Sequence, residues 1–281
     1  MNRGRHHQER VLLCYPSISQ IAEADTRAYN YTTRVNIARL KKQYDELIYQ
    51  LEKHKIKYKM IEATTPDAVF IQDPFIITPT HVVVGKFRNQ MRLDETKQIE
   101  NYFISQRIQY HKIVRGFLEG GDYICYRNVS FIMAGQRTSR LAIRDMLVAD
   151  VFGTPKVARI TPDKETTDPY KIHLDLILGF IDDVAVLWSG AKSYLVDVFD
   201  KNGKQIASIP LNKYLEYLGY RIFLVSDKEQ QAYMCNFVCF RDCVFAQSAR
   251  LAEATKKKVI IIDMSELNKM RGGIHCAVHQ I

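Results

Sequence analysis

The chain ends RGGIHCAVHQI. A thiolate is the strongest nucleophile a side chain offers, and Gly272 and Gly273 let the backbone come close just before Cys276. A thiol of this kind needs a proton carrier, and His173, two residues before Asp175 in HLD, is the candidate. Glu119 opens and Asp122 closes the tetrapeptide EGGD, and Asp67 and Asp73 lie in PDAVFIQDP. These residue types allow covalent catalysis by a thiol, with an acid–base histidine, in a pocket lined by acids. Taken singly, each has a plainer reading. A cysteine in a last strand is usually packing, a lone histidine is usually a core residue, and Asp122 suits a turn. Cys276 and His279 as a zinc pair find no second ligand cluster at zinc-like spacing, and a metal would occupy the nucleophile. Cys235, Cys239 and Cys243 read as structural thiols. No metal and no cofactor is expected.

Something must bring these distant segments together. Four stretches read as hairpins by their Val/Ile/Phe content and turn residues: DAVFIQDPFIITPTHVVVGKF, EGGDYICYRNVSFIMAGQRTS, HLDLILGFIDDVAVLWSGA and YMCNFVCFRDCVFAQSA. They recur roughly every 50–60 residues, a period that marks repeat architecture. Stretches with helical spacing of apolar residues lie between them, such as NIARLKKQYDELIYQLEKH and LDETKQIENYFISQR, each followed by a short strand. RVLLCYP at the start and IHCAVHQI at the end lack partners, so they are expected to pair with each other, closing a ring of five units. Asp67 and Asp73 should flank the first strand of one unit, Glu119 and Asp122 should open the next, and His173 and Asp175 the third. Cys276 should sit in the closing strand. Equivalent positions of a ring converge on its axis, where these residues would meet.

PDAVFIQDP, FLEGGDYI, QRTS, HLD and RGGIHC stand in this order between positions 66 and 276. They resemble the motifs of the guanidino-group-modifying enzymes of the pentein fold, among them arginine deiminase, dimethylargininase, agmatine deiminase and the arginine amidinotransferases. The resemblance implies an α/β architecture: a five-bladed pseudo-symmetric propeller with mixed sheets and outer helices. It makes residues 1–281 one catalytic domain, with residues 1–9 expected as a disordered tail. Arginine deiminases carry arginine, and bacterial dimethylargininases glutamate, where this chain has Gln72; amidinotransferases have aspartate where it has Glu119. There is no room for the inserted helical domain of arginine deiminases.

The resemblance assigns Cys276, His173 and Glu119 to catalysis. Asp73 and Asp175 become a clamp for a planar, always protonated guanidinium, which suits carboxylates accepting paired N–H bonds. Arg137 and Arg271 would hold a substrate carboxylate, with Arg92 a further candidate, and Asp67 the α-amino group. Gln72, Gly273 and Asp122 complete the substrate-binding set. The implied activity is hydrolysis of arginine or a methylated arginine to citrulline and ammonia or an amine, through a covalent S-alkylthiouronium. An amidinotransferase using the same intermediate, and a non-catalytic pentein that binds RNA or protein, are the alternatives.

Bulk properties narrow the field. The formal net charge of +9 is scattered over runs such as RLKKQYDELIYQLEKHKIKYK and ATKKKV, which read as solvated faces. A small guanidino compound is therefore the expected partner, and nucleic acid is not. VLLCYP is too short for a signal core or a membrane span, and the six cysteines demand no disulfide framework. A cytoplasmic protein with reduced thiols is expected, and a homodimer is compatible with the sequence.

Overall fold

The computed structural model describes residues 9–164 and 168–281. Of the tail expected over residues 1–9, residues 1–8 lie outside that set. Glu9 is held: its carbonyl accepts from the Lys57 amide at 3.1 Å and its carboxylate from the Arg241 amide at 2.6 Å.

Among the described residues the strands form five sheets, each built on one pattern: an antiparallel pair with a third strand added in parallel. Strand Arg10–Tyr15 pairs antiparallel with His279–Gln280 and parallel with Lys57–Glu62. The chain's two ends thus share one sheet, as the unpartnered terminal strands implied. The same arrangement joins Phe75–Ile77, Val82–Val84 and His111–Lys112, then Tyr123–Tyr126, Val129–Met133 and Lys156–Thr161. It recurs in Leu178–Ile181, Val184–Trp188 and Arg221–Val225, and in Val238–Cys239, Cys243–Ala246 and Lys258–Ile261. Each parallel step needs a crossover. The first three are helices Ile37–Lys53, Leu93–Ser105 and Arg140–Val148; the fourth contains helix Leu211–Tyr217, and the last a 3-10 segment, Ala249–Glu253. No strand pairing among the described residues joins the five sheets into a closed one.

Helix Ile37–Lys53 shows how pattern becomes packing. Leu40, Tyr44, Leu47 and Leu51 recur at helical spacing and are all fully buried. Asn36 caps the first turn by accepting from the Arg39 amide at 3.0 Å. The lysines and glutamates of the other face stay in solvent, where charge-dense runs were expected to lie.

Three local features differ from the sequence reading. Asp67 falls in a 3-10 turn, Pro66–Val69, and the first strand of its unit begins only at Phe75. Cys276 lies in a turn, because the last strand is just His279–Gln280. A further hairpin, Leu195–Asp200 with Gln205–Pro210, extends the Tyr123–Thr161 sheet by pairing antiparallel with Lys156–Thr161. Its signal is DKNGK, where Gly203 has φ +74° and Asp200 accepts the Asn202 and Lys204 amides.

His279 anchors the end of the chain. Its ring stacks on Phe75 with centroids 3.8 Å apart and is buried. Burial, then nearby His275, lowers its pKa to about 3. Below the ordinary histidine pKa of about 6.5 the unfolded chain takes up a proton that the folded chain refuses until about pH 3. Stability is therefore lost as the pH is lowered through that window, by up to about 1.4 kcal/mol per pH unit for this one group. His279→Phe keeps the stacked ring and should flatten the slope between pH 6 and 4 relative to the parent, read by urea unfolding; parallel pH profiles would contradict this assignment.

Candidate active site

The residues singled out in the sequence sit in turns just ahead of the first strand of each unit. Asp73 precedes the strand at Phe75, Asp122 the strand at Tyr123, Asp175 the strand at Leu178, and Cys276 the strand at His279. The turns interlock through glycine. A Cβ on Gly120 would lie 2.0 Å from the Gln72 carbonyl oxygen, and one on Gly121 would lie 2.7 Å from His173 Nδ1. A Cβ on Gly272 would meet the Phe70 ring at 2.1 Å, and one on Gly273 would meet Asn236 Oδ1 at 2.4 Å. Main-chain bonds pin the contacts: the Gly120 amide to the Asp73 carbonyl at 2.7 Å, and the Gln72 amide to the Cys276 carbonyl at 3.1 Å. The Leu174 amide donates to Asp122 Oδ1 at 3.2 Å, fixing His173 against the EGGD turn.

These turns border a cavity of about 100 Å³, with Cys276, His173, Asp73, Asp67, Arg92, Arg137 and Arg271 among its walls. His173 Nε2 lies 3.0 Å from Glu119 Oε2, and its Nδ1 is 3.8 Å from Asp73 Oδ1. Burial alone would strip the His173 proton, but Asp73, Glu119 and Asp122 outweigh it and raise the pKa. Burial likewise opposes the charge on Glu119, yet His173 and Arg137 hold its pKa down. Both shifts favour the imidazolium–carboxylate form of the pair. Arg137 reaches Glu119 at 3.3 Å.

The thiol is in the opposite state. Burial, then the Asp175 and Asp73 carboxylates, push its pKa well above the ordinary value. Cys276 Sγ lies 3.7 Å from Asp175 Oδ2 and 3.4 Å from Asn236 Nδ2. Each clamp aspartate has one oxygen engaged and one bare. Arg92 donates to Asp73 Oδ2 at 2.8 Å and His275 Nδ1 meets Asp175 Oδ2 at 2.8 Å, while Asp73 Oδ1 and Asp175 Oδ1 are buried and, among the described residues, accept no hydrogen bond, the His173 ring standing 3.8 Å from the former.

The remaining expected residues take distinct places. Asp67 accepts from Tyr31 Oη at 2.9 Å; burial lifts its pKa to about 6 although Arg92 opposes this. Arg92 is buried with three of its nitrogens bonded to Asp73 and Glu95, and it stacks on Phe87. Arg271 donates to the Asn30 carbonyl at 3.1 Å and lies over the Tyr170 ring. Gln72 Nε2 turns back to the Gly120 carbonyl, and Asp122 is fully buried, with burial raising its pKa to about 7. Neither borders the cavity, and nor do Gly273, Glu119 and Asp175, the last two reaching it only through His173 and Cys276.

Sequence reasoning passed over Asn236, His275, Glu95 and Tyr31. Asn236 stands two residues before a first strand, as Asp73 does, so the unit repeat was the signal that could have found it. Glu95, three residues after Arg92 at a helix start, had a local signal; Tyr31 had none. Asp73, Glu119 and His173 place ligand atoms within 4.8 Å of one another, as a metal site would. Arg92, Arg137 and the His173 proton already answer those carboxylates, so the set suits a cation made of N–H donors better than a bare metal ion. His279 is turned away onto Phe75.

Comparison with known proteins follows the same line. The sequence model of the family Arginine deiminase matches residues 5–281. The chain is 24% identical to N(G),N(G)-dimethylarginine dimethylaminohydrolase of Pseudomonas aeruginosa over 220 residues, 75% of each protein. It is 23% identical over 188 residues to the uncharacterized protein YkgA of Bacillus subtilis, a match spanning 64% of this chain and 62%, just under two thirds, of that one. The fold is that of the N-terminal domain of a cyanobacterial arginine dihydrolase, with a TM-score of 0.78, 18% identity and 97% of each chain covered. It is equally that of DDAH from Pseudomonas aeruginosa complexed with citrulline, with a TM-score of 0.74, 16% identity, and 97% of this chain and 99% of that one covered. With its motifs in family order and its family match running almost end to end, the chain belongs to the arginine deiminase family, among the guanidino-modifying penteins.

Proposed function

We propose that this protein is a cysteine hydrolase acting on the guanidino group of arginine or a methylated arginine. The single observation that carries the reading is the pair of bare, buried oxygens, Asp73 Oδ1 and Asp175 Oδ1, on carboxylates grouped with the Cys276 thiol and the His173–Glu119 ion pair. A buried carboxylate oxygen without a donor is costly unless a ligand completes it. A guanidinium supplies in-plane N–H groups and a positive charge together. The relatives named for dimethylarginine and arginine hydrolysis, and the citrulline complex, point to the same chemistry. The five units are read as blades around one axis, in a single catalytic domain, because their pre-strand turns meet at this site.

Binding and activation are coupled in this reading. Burial, and then the nearby Asp175 and Asp73 carboxylates, keep the free thiol protonated. A bound cation reverses that field and favours the thiolate, the Sγ proton passing to solvent as the cation enters. Sγ then forms a bond to the guanidino carbon, giving a tetrahedral adduct. His173, kept protonated by Glu119 and Asp73, gives its proton to the departing nitrogen as the C–N bond breaks. Ammonia or an amine leaves, and the carbon remains as an S-alkylthiouronium. Water adds to that carbon, with His173 taking its proton; the C–S bond breaks, and the ureido product and the thiol are released. Arg137 and Arg271, which border the cavity, would hold the α-carboxylate, and Asp67, which borders it too, the α-amino group. Arg92 is committed to Asp73 and Glu95, so its part is to keep Asp73 oriented and charged.

Ureido-product and ammonia assays with arginine, dimethylarginine and agmatine test this directly. Cys276→Ser should abolish turnover, by at least about a thousandfold, with an unchanged circular dichroism spectrum; full activity in that variant would end the proposal. Asp175→Asn should raise KM by more than about tenfold, since it removes a charged acceptor of the guanidinium. A KM within twofold of the parent would exclude Asp175 from the clamp.

The pH profile carries a sign. Glu119 raises the His173 pKa, and the imidazolium is lost as pH rises through it. Glu119→Gln removes that support, so the alkaline limb of kcat/KM should move to lower pH in the residual activity. An alkaline limb left in place would show that His173 is not the group whose proton is needed.

A further inference from the structure

We propose that His275 is a positioning residue that fixes which oxygen of Asp175 is spent inside the protein and which is left for a bound cation. This rests on the guanidino reading of the site and extends it to a residue outside the catalytic set. Asp175 is buried, and its Oδ2 is crowded: His275 Nδ1 lies at 2.8 Å, Asn236 Nδ2 at 3.2 Å and Cys276 Sγ at 3.7 Å. Its Oδ1 has no hydrogen-bond partner among the described residues. The terminal torsion of an aspartate is soft, so without a strong donor the two oxygens would exchange places.

Asn236 cannot supply that hold by itself. Its single amide nitrogen has two hydrogens and faces three acceptors at similar distances: the Asp175 carbonyl at 3.3 Å, Asp175 Oδ2 at 3.2 Å and the Cys276 sulfur at 3.4 Å. The short bond is the one from the His275 ring, which must carry its proton on Nδ1 to make it. His275 also acts through its main chain. Its amide donates to Asn236 Oδ1 at 2.9 Å, which turns the Asn236 amide so that Nδ2 faces the thiol and the carboxylate. His275 and Asp175 both border a second cavity of about 300 Å³, which Cys276 does not border. The proton transfers of the reaction belong to His173, and His275 sets affinity for the cation.

The test compares His275→Leu, which removes the donor, with His275→Asn, whose amide nitrogen can occupy the place of Nδ1. In a Cys276→Ser background, calorimetric titration with arginine, dimethylarginine and agmatine reads binding, and the fitted stoichiometry corrects for any unfolded fraction. With Cys276 intact, steady-state kinetics separates KM from kcat. The leucine variant should bind the tightest of the three probes at least about tenfold more weakly, and the asparagine variant should stay within about threefold of the parent. In turnover, KM should rise and kcat should change by less than about threefold. Equal binding by parent and both variants, equal loss in both variants, or a kcat loss at constant KM would each overturn the role of His275 while leaving the guanidino reading in place. Failure of the parent Cys276→Ser protein to bind any probe would overturn that reading, and this inference with it.

Discussion

The arrangement depends on one electrostatic constraint: several carboxyl groups are buried together with too little positive charge to answer them. Asp67, Asp73, Glu95, Glu119, Asp122 and Asp175 are all buried within a small region. Arg92, Arg137 and His173 neutralise part of that charge through direct contacts with Asp73, Glu95 and Glu119. Burial raises the pKa of Asp67, Glu95 and Asp122, against the pull of Arg92 on the first two and of His173 on the third, which shows how costly their charge is here. Buried charge of one sign is expensive, and a fold that retains it is prepared for an opposite charge from outside. Burial raises the pKa of the Cys276 thiol, the buried carboxylates raise it further, and they hold the proton on His173. A new negative charge on the sulfur is disfavoured by those already present, which stabilise the imidazolium.

Geometry makes that concentration of charge attainable. The acids come from turns of different units, and each turn reaches the centre only because a glycine lets a neighbouring backbone or ring approach closely. Gly120 against Gln72, Gly121 against His173 and Gly273 against Asn236 are contacts that any side chain would block. The same requirement orders the end of the chain. His279–Gln280 pairs with the first strand, His279 packs on Phe75, and the turn holding Cys276 is tied to Gln72 by a main-chain bond. A terminus that would otherwise fray is fixed where a nucleophile needs a rigid base.

Much of this was legible in the sequence, and the remainder was hidden for physical reasons. The hairpins with turns at Arg127-Asn128 and Asp182-Asp183 were readable as polar pairs between apolar runs, and four of the five parallel third strands followed a visible amphipathic helix, the last following only a 3-10 segment. The convergence of Cys276, His173, Glu119 and Asp73 was readable from the repeat and from the family motifs. The short turns before the strands were not, because three-residue 3-10 segments leave no periodicity, and PDAVFIQDP has the apolar content of a strand while folding as a turn. Asn236 and His275 were passed over because their importance lies in which atoms they face, and residue type alone does not encode that. Tyr31 comes from a loop whose meeting with Asp67 depends on tertiary packing.

The most direct test of the charge deficit is the ionisation of Cys276 with the site empty and filled. Thiolate absorbance near 240 nm, followed against pH and corrected with the Cys276→Ser protein, isolates this thiol from the other five cysteines. With methylguanidine bound, the apparent pKa of Cys276 should fall by more than about one unit from its high value in the free protein, and methylammonium at equal concentration should move it less. A thiol pKa indifferent to methylguanidine would show that no cation seats among these carboxylates beside the sulfur.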